Sequence, residues 1–267
     1  MDPLAGFGLS VGTLYDLVSY VSLATARPLG ATLLFTAFIW GRINTGIIRS
    51  VVATAIALPV LAPAFQSPAA ALAAIEGSYL TFLIKELGIG LFIGLAASLP
   101  LQAIGIAGNV VDAIRGGGQL PAAEGDNTVF GQLFMVIALW IFADLGGFFR
   151  YADMIYQSYG LWPLAKALPP LQPAVIAALV ALIGQLLLLV ATLSGALVVL
   201  LLMVDMTLVI ANRLGRRMNV LDLSLSIKNT LLVVVMPVYA MVIIRIATGQ
   251  IPAIFDLRLL TLALTPQ

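Results

Sequence analysis

Three groups of ionisable residues interrupt an otherwise apolar chain: Lys85 with Glu86, Asp112 with Arg115, and Asp205 with Arg213 and Lys228. Ionisable side chains within a membrane segment are costly to bury and usually face protein or water rather than lipid. Groups of this kind make contacts between helices or subunits. Bond chemistry would need other residues: the chain has no His and no Cys, which removes thiol redox chemistry, most zinc sites and any Ser-His-Asp triad. It also has no G-x-S-x-G elbow, no phosphate-binding loop and no metal-ligand spacing. The expectation is a protein that is not an enzyme, with no cofactor and no metal.

Spacing sharpens each group. Glu86, Gly90, Gly94 and Ser98 recur every four residues and share one helix face, on which the Gly90–Gly94 pair lets a second helix approach closely. Lys85 and Glu86 are adjacent, pointing about 100° apart on a helix, so each is expected to find its own partner on another helix or subunit. Asp112 and Arg115 are three apart and can pair on one face. Gly116, Gly117 and Gly118 follow directly and give backbone freedom and room for close approach. Pair and hinge together suggest a gate that closes yet moves; the plainer reading is a surface turn with a solvated ion pair. Between Leu221 and Lys228, leucine and isoleucine alternate with Asp222, Ser224, Ser226 and Lys228, which predicts an extended segment, with Ser226 as a cap for the helix after it.

The elements that must hold these groups are membrane helices. The 267-residue chain is 61% hydrophobic and 9% charged, with a mean hydropathy of +1.10, against about 25% charged residues in soluble domains. Its net charge of +1 argues against nucleic-acid binding. The N-terminus has no basic region ahead of a short apolar core and is not read as a secretory signal. Spans of about 20 apolar residues are expected over 14–41, kinked or broken at Arg27-Pro28, and over 47–65, 72–99, 129–149 and 229–248. A separate helix is expected over 100–115, a loop over 116–127, and an interfacial stretch over 150–173 with Tyr151, Tyr156, Tyr159 and Trp162 as belt aromatics. The charge-free helix after Pro173 comes to about 46 Å, too long for a hydrocarbon core of about 30 Å, so it must tilt, bend or stand partly outside. Arg42 and Arg49, and Arg213, Arg216 and Arg217, mark cytoplasmic loops.

The stretch FLIKELGIGLFIGLAASLPLQAIGIAGNVVDAIRGG resembles the signature of the type III secretion export-apparatus T subunit (SctT/SpaR), a relative of the flagellar FliR protein. In that family a K-E pair opens a Gly-rich helix, followed by a proline and a G-x-x-x-D-x-x-R-G element, here Lys85, Glu86, Gly90, Gly94, Pro100, Gly108, Asp112, Arg115 and Gly116. A second stretch, DMTLVIANRLGRRMNVLDLSLSIKN, is similar to the family's later block, with Asp205, Arg213, Asn219, Val220 and Lys228 in matching places. The acid-x-x-Arg-Gly element looks more like the injectisome branch than the flagellar one. The glycine run and the turn RLGRRMN depart from the family's usual forms.

The resemblance implies an all-α integral membrane protein of kinked helices and helical hairpins, one domain over 1–267 with signature blocks at 82–116 and 204–229. It implies a subunit of the inner-membrane export gate, part of the pore through which unfolded proteins leave the cell. The implied partners are the two smaller export-gate subunits, together with the switch and export-gate proteins, and secreted substrates in transit; nucleic acid is not among them. Asp112, Arg115 and Gly116 to Gly118 would close the pore, and Lys85, Glu86, Gly90, Gly94, Asp205, Arg213 and Lys228 would serve helix packing and subunit contacts. A small-solute secondary transporter is the alternative, but it predicts inverted repeats and convergent midplane charges, and neither is visible. An intramembrane enzyme lacks the histidine, cysteine or clustered carboxylates it would normally use.

Overall fold

The computed structural model describes residues 11–40, 46–66, 78–116, 128–166, 173–214 and 220–254, and these are helical almost throughout. The helices are α1 (Val11–Leu34), α2 (Thr36–Trp40), α3 (Gly46–Gln66), α4 (Tyr79–Arg115), α5 (Val129–Asp144), α6 (Gly147–Leu161), α7 (Pro173–Leu214) and α8 (Val220–Ile254). Helix is the outcome that apolar sequence dictates, because a helix satisfies its backbone groups internally where water is absent. Four of these helices are long and apolar enough to cross a membrane, or up to five if the bent pair α5 and α6 forms one span.

The helices run further than the sequence suggests. Helix α1 continues through Arg27 and Pro28, and the first interruption falls at Phe35. Helix α4 likewise absorbs Pro100, joining the helical part of the expected span 72–99 to 100–115 as one element over Tyr79–Arg115; residues 72–77 lie outside the described ones. The apolar, leucine-rich surroundings outweigh the one hydrogen bond that each proline removes. The alternating stretch 221–227 is the first part of α8 rather than an extended segment, so Ser226 lies inside a helix and is no N-cap. There the period-two pattern loses to helical continuity with the apolar run that follows. The expected span 129–149 is in fact broken at Leu145–Gly146, where Gly146 takes a φ of 68°, and a separate helix, α6, starts at Gly147. Tyr151 is no belt aromatic: it is buried and stacks on Phe35 with ring centroids 4.4 Å apart.

The chain divides into two compact units. The first takes residues up to Ser98 together with Phe148–Ala178, the second Leu99–Gly147 with Leu179–Ile254, so α4 contributes to both. In the first unit, α1 packs on α3 through a core of Tyr20, Ala24 and Leu61. It meets α4 at backbone distance: a Cβ on Gly30 would lie 2.6 Å from the Leu87 carbonyl oxygen, and Cβ atoms on Gly90 and Gly94 would collide with the carbonyl oxygens of Arg27 and Ala31. In the second unit, α5 packs on α8, with Phe134 stacked near Tyr239 and the Tyr239 hydroxyl donating to the Leu193 carbonyl on α7. Helix α4 joins this core where Gly105 faces Met135 and Gly108 faces the Phe130 carbonyl.

Candidate functional site

The charged residues gather into two clusters, one in each unit. The first is centred on Glu86, fully buried on α4. Arg27 of α1, also fully buried, reaches it in two-pronged fashion, Nε at 2.7 Å from Oε2 and Nη2 at 3.1 Å from Oε1. A guanidinium suits this arrangement because its planar fork matches a carboxylate. Two further protons are also engaged: Nη1 donates to Ser158 Oγ at 3.0 Å and Nη2 to the Trp162 carbonyl at 2.8 Å, while the Tyr159 ring lies 4.0 Å from Cζ. Tyr159 is in turn held by its hydroxyl, which donates to the Ala24 carbonyl at 3.0 Å.

Lys85 shares this cluster. Its Nζ lies 2.8 Å from Glu86 Oε1, which corrects the expectation that neighbouring residues pointing in different directions could not meet; the long lysine stem curls back far enough. Lys85 also donates to the carbonyls of Leu164 at 3.0 Å and Lys166 at 2.7 Å. These carbonyls lie in the stretch that follows α6, so Lys85 ties that stretch to α4. Two cations and one carboxylate thus clamp α1, α4 and the end of α6 together.

The second cluster brings Asp112, Arg115, Asp205 and Lys228 together. Asp112 Oδ1 lies 2.7 Å from Arg115 Nη2, the three-residue pairing expected from the sequence. Its other oxygen, Oδ2, accepts from the backbone amides of Phe130 at 2.7 Å and Gly131 at 3.2 Å. These are the first amides of α5, whose own N-cap residue Thr128 makes no capping bond and instead bonds Asn109. Asp112 therefore does for α5 what an N-cap does, from another helix, with a full negative charge at the positive end of the dipole. Arg115 donates to Asn229 Oδ1 at 3.2 Å and lies 5.1 Å from the Phe130 ring.

Lys228 of α8 stands 2.6 Å from Asp205 Oδ1 on α7 and donates to the Ile114 carbonyl at 3.2 Å; Ser224 also donates to Asp205, at 3.3 Å. Gly116 ends α4 with a φ of 96°, a left-handed conformation that side chains resist, so this glycine is required. Gly117 and Gly118 lie outside the described residues. Arg213 is exposed in the last turn of α7 and joins neither cluster among them. Gly90 and Gly94 pack against α1 of the same chain, as the overall fold shows.

Arg27, Ser158, Tyr159 and Asn229 were not among the sequence-derived site residues. Arg27 carried a usable signal, an arginine inside an apolar segment, which demands a buried acid. Ser158 and Asn229 gave none, since polar neutral residues at such positions are unremarkable until their partners are known. Among the described residues, no three His, Cys, Asp or Glu side chains gather to hold a metal.

Buried ion clusters set in long apolar helices define a multi-pass membrane protein whose charges tie helices together. The chain matches the family described as bacterial export proteins, family 1, over residues 18–253, and it belongs to that family. It is 26% identical to the Yop proteins translocation protein T of Yersinia pestis over 176 residues, 64% of this chain and 67% of that protein. It is 28% identical to the secretion system apparatus protein SsaT of Salmonella typhimurium over 152 residues, 55% of this chain and 59% of that one. Family and helices together make it an integral protein of the bacterial inner membrane.

Proposed function

We propose that this chain is the T subunit of a type III protein secretion apparatus and lines part of the path by which unfolded proteins are exported. The observation that carries this reading is the family match across most of the chain, joined to relatives whose names are those of a translocation protein and a secretion apparatus protein. Its partners in that role are the two smaller export-gate subunits, with the switch and export-gate proteins nearby and substrates passing through. The chain acts as a structural component and not as an enzyme, with the work of transport supplied by other subunits.

Within that role, Asp112, Arg115 and Gly116 form the base of the pore closure, with Gly117 and Gly118 continuing it. The support is local. Asp112 binds both Arg115 at the end of α4 and the first amides of α5, so the helices on either side of 117–127 meet at one carboxylate. Lys85, Glu86, Gly90 and Gly94 hold the first unit together.

The test is co-purification from detergent-solubilised bacterial membranes after co-expression with the genomic neighbours. A stable complex with the two smaller subunits is the expected result. A lone monomer or homodimer, with those neighbours present and unbound, refutes the assignment and brings the solute-transporter alternative forward.

A further inference from the structure

We propose that Lys228 is a positioning residue that caps the C-terminal end of α4 from α8, so that α8 fixes where Arg115 and Gly116 sit. Two consecutive residues of α8 hold two consecutive residues of α4. Lys228 Nζ donates to the Ile114 carbonyl at 3.2 Å, and Asn229 Oδ1 accepts from Arg115 at 3.2 Å. The Ile114 oxygen is one of the last carbonyls of α4, which have no amide partner inside the helix, and a lysine there is favoured by the helix dipole. Helix ends are ordinarily capped by nearby residues of their own chain segment; here the cap comes from 114 residues further on.

Asp205 completes the device by orienting Lys228, at 2.6 Å, while itself remaining partly exposed on α7, 37% of its side chain open. It serves the ammonium as counter-ion, and the working contact is the one to Ile114. With Asp112 capping α5, the two helix ends that flank 117–127 are each satisfied by a charge from a different helix. Nothing in this placement depends on the export reading; only its consequence for leakage does.

The experiment is hydrogen exchange, read by mass spectrometry, on the complex purified with its co-expressed membrane subunits. The peptide of interest covers the last turn of α4, with the segment 82–98 as internal control. Lys228→Met is expected to raise exchange over 112–116 about tenfold, the scale of losing a charge-assisted hydrogen bond at a helix end, with the control unchanged. Lys228→Arg keeps a donor and retains protection. Asp205→Asn leaves the bond to Ile114 in place and also retains it.

The decisive variant is the double swap D205K/K228D, which restores an ion pair but puts no donor on α8. Exchange that stays fast in the swap supports a cap. Protection regained by the swap, or lost equally in Asp205→Asn, shows that the ion pair alone matters and overturns the proposal. Unchanged protection in Lys228→Met also overturns it. Leakage of a small solute in cells carrying Lys228→Met tests the closure reading separately: fast exchange without leakage sinks that reading and leaves the cap standing.

Discussion

Glu86 and Asp112 are both buried carboxylates on α4 and both pair with an arginine, yet they are used differently. Among the described residues Glu86 pairs with two side-chain cations, both shut away from water: Arg27 at 0% and Lys85 at 2% side-chain exposure. Asp112 divides itself between an arginine and two backbone amides, and its cluster reaches the surface, through Arg115 at 15% and, beside Lys228, Asp205 at 37% side-chain exposure. Ion pairs without access to water cannot exchange partners without stranding a charge. Pairs at the edge of water can. The same residue types therefore make a fully covered clamp in the first unit and a partly exposed junction in the second, and the distinction lies in how well the partners are covered.

The comparison can be broken most forcefully at the clamp. Glu86→Ala would leave Arg27 and Lys85 buried with no counter-charge, a loss of about 3–5 kcal/mol. The expected readout is near-complete loss of the protein from membranes, and wild-type levels would end the clamp interpretation. Next comes the close approach of α1 and α4. Gly90→Ala places a methyl group against the Arg27 carbonyl and should cost about 1–3 kcal/mol, seen as a lowered melting temperature in detergent.

The junction should respond more mildly. Asp112→Ala removes a cap from α5, worth about 0.5–2 kcal/mol, so the protein accumulates normally. The amides of Phe130 and Gly131 then exchange faster and, on the export reading, cells leak. Asp112 loss as severe as that of Glu86, judged by membrane levels, would erase the distinction between the clusters. The smallest effect calibrates the rest. Gly88 shares α4 with Gly90, but a Cβ there meets nothing within 4 Å, so Gly88→Ala should shift stability by less than about 1 kcal/mol.

Much of this was legible in the chain itself. The apolar excess with sparse charge announced membrane helices, and the four-residue spacing of Glu86, Gly90 and Gly94 announced a face that another helix could approach. Helical spacing allowed the pairing of Asp112 with Arg115, but did not decide it against a partner elsewhere. What failed did so where local rules compete with context. The Leu221–Lys228 alternation was real but short, and helix won because it extends an apolar run in which every amide must be bonded internally. Pro28 and Pro100 were read as breaks, yet packing on both sides of each carries the helix through. Arg27 was read as part of a kink because its partners lie far away, Glu86 by 59 residues and Ser158 by 131. Asp112 as a cap for α5 was invisible for a similar reason: nothing in sequence says which distant amides a carboxylate will meet.

That separation between Arg27 and Glu86 has a consequence for biogenesis. The ribosome delivers α1 first, and an arginine left at the centre of a lone helix costs roughly 2.5–3.5 kcal/mol to insert. Its carboxylate arrives only 59 residues later, and Ser158 after 131. Helix α1 on its own is therefore the less favoured form, and the arrival of α4 offsets that cost. The order of synthesis makes α4 the step that commits α1 to the bilayer.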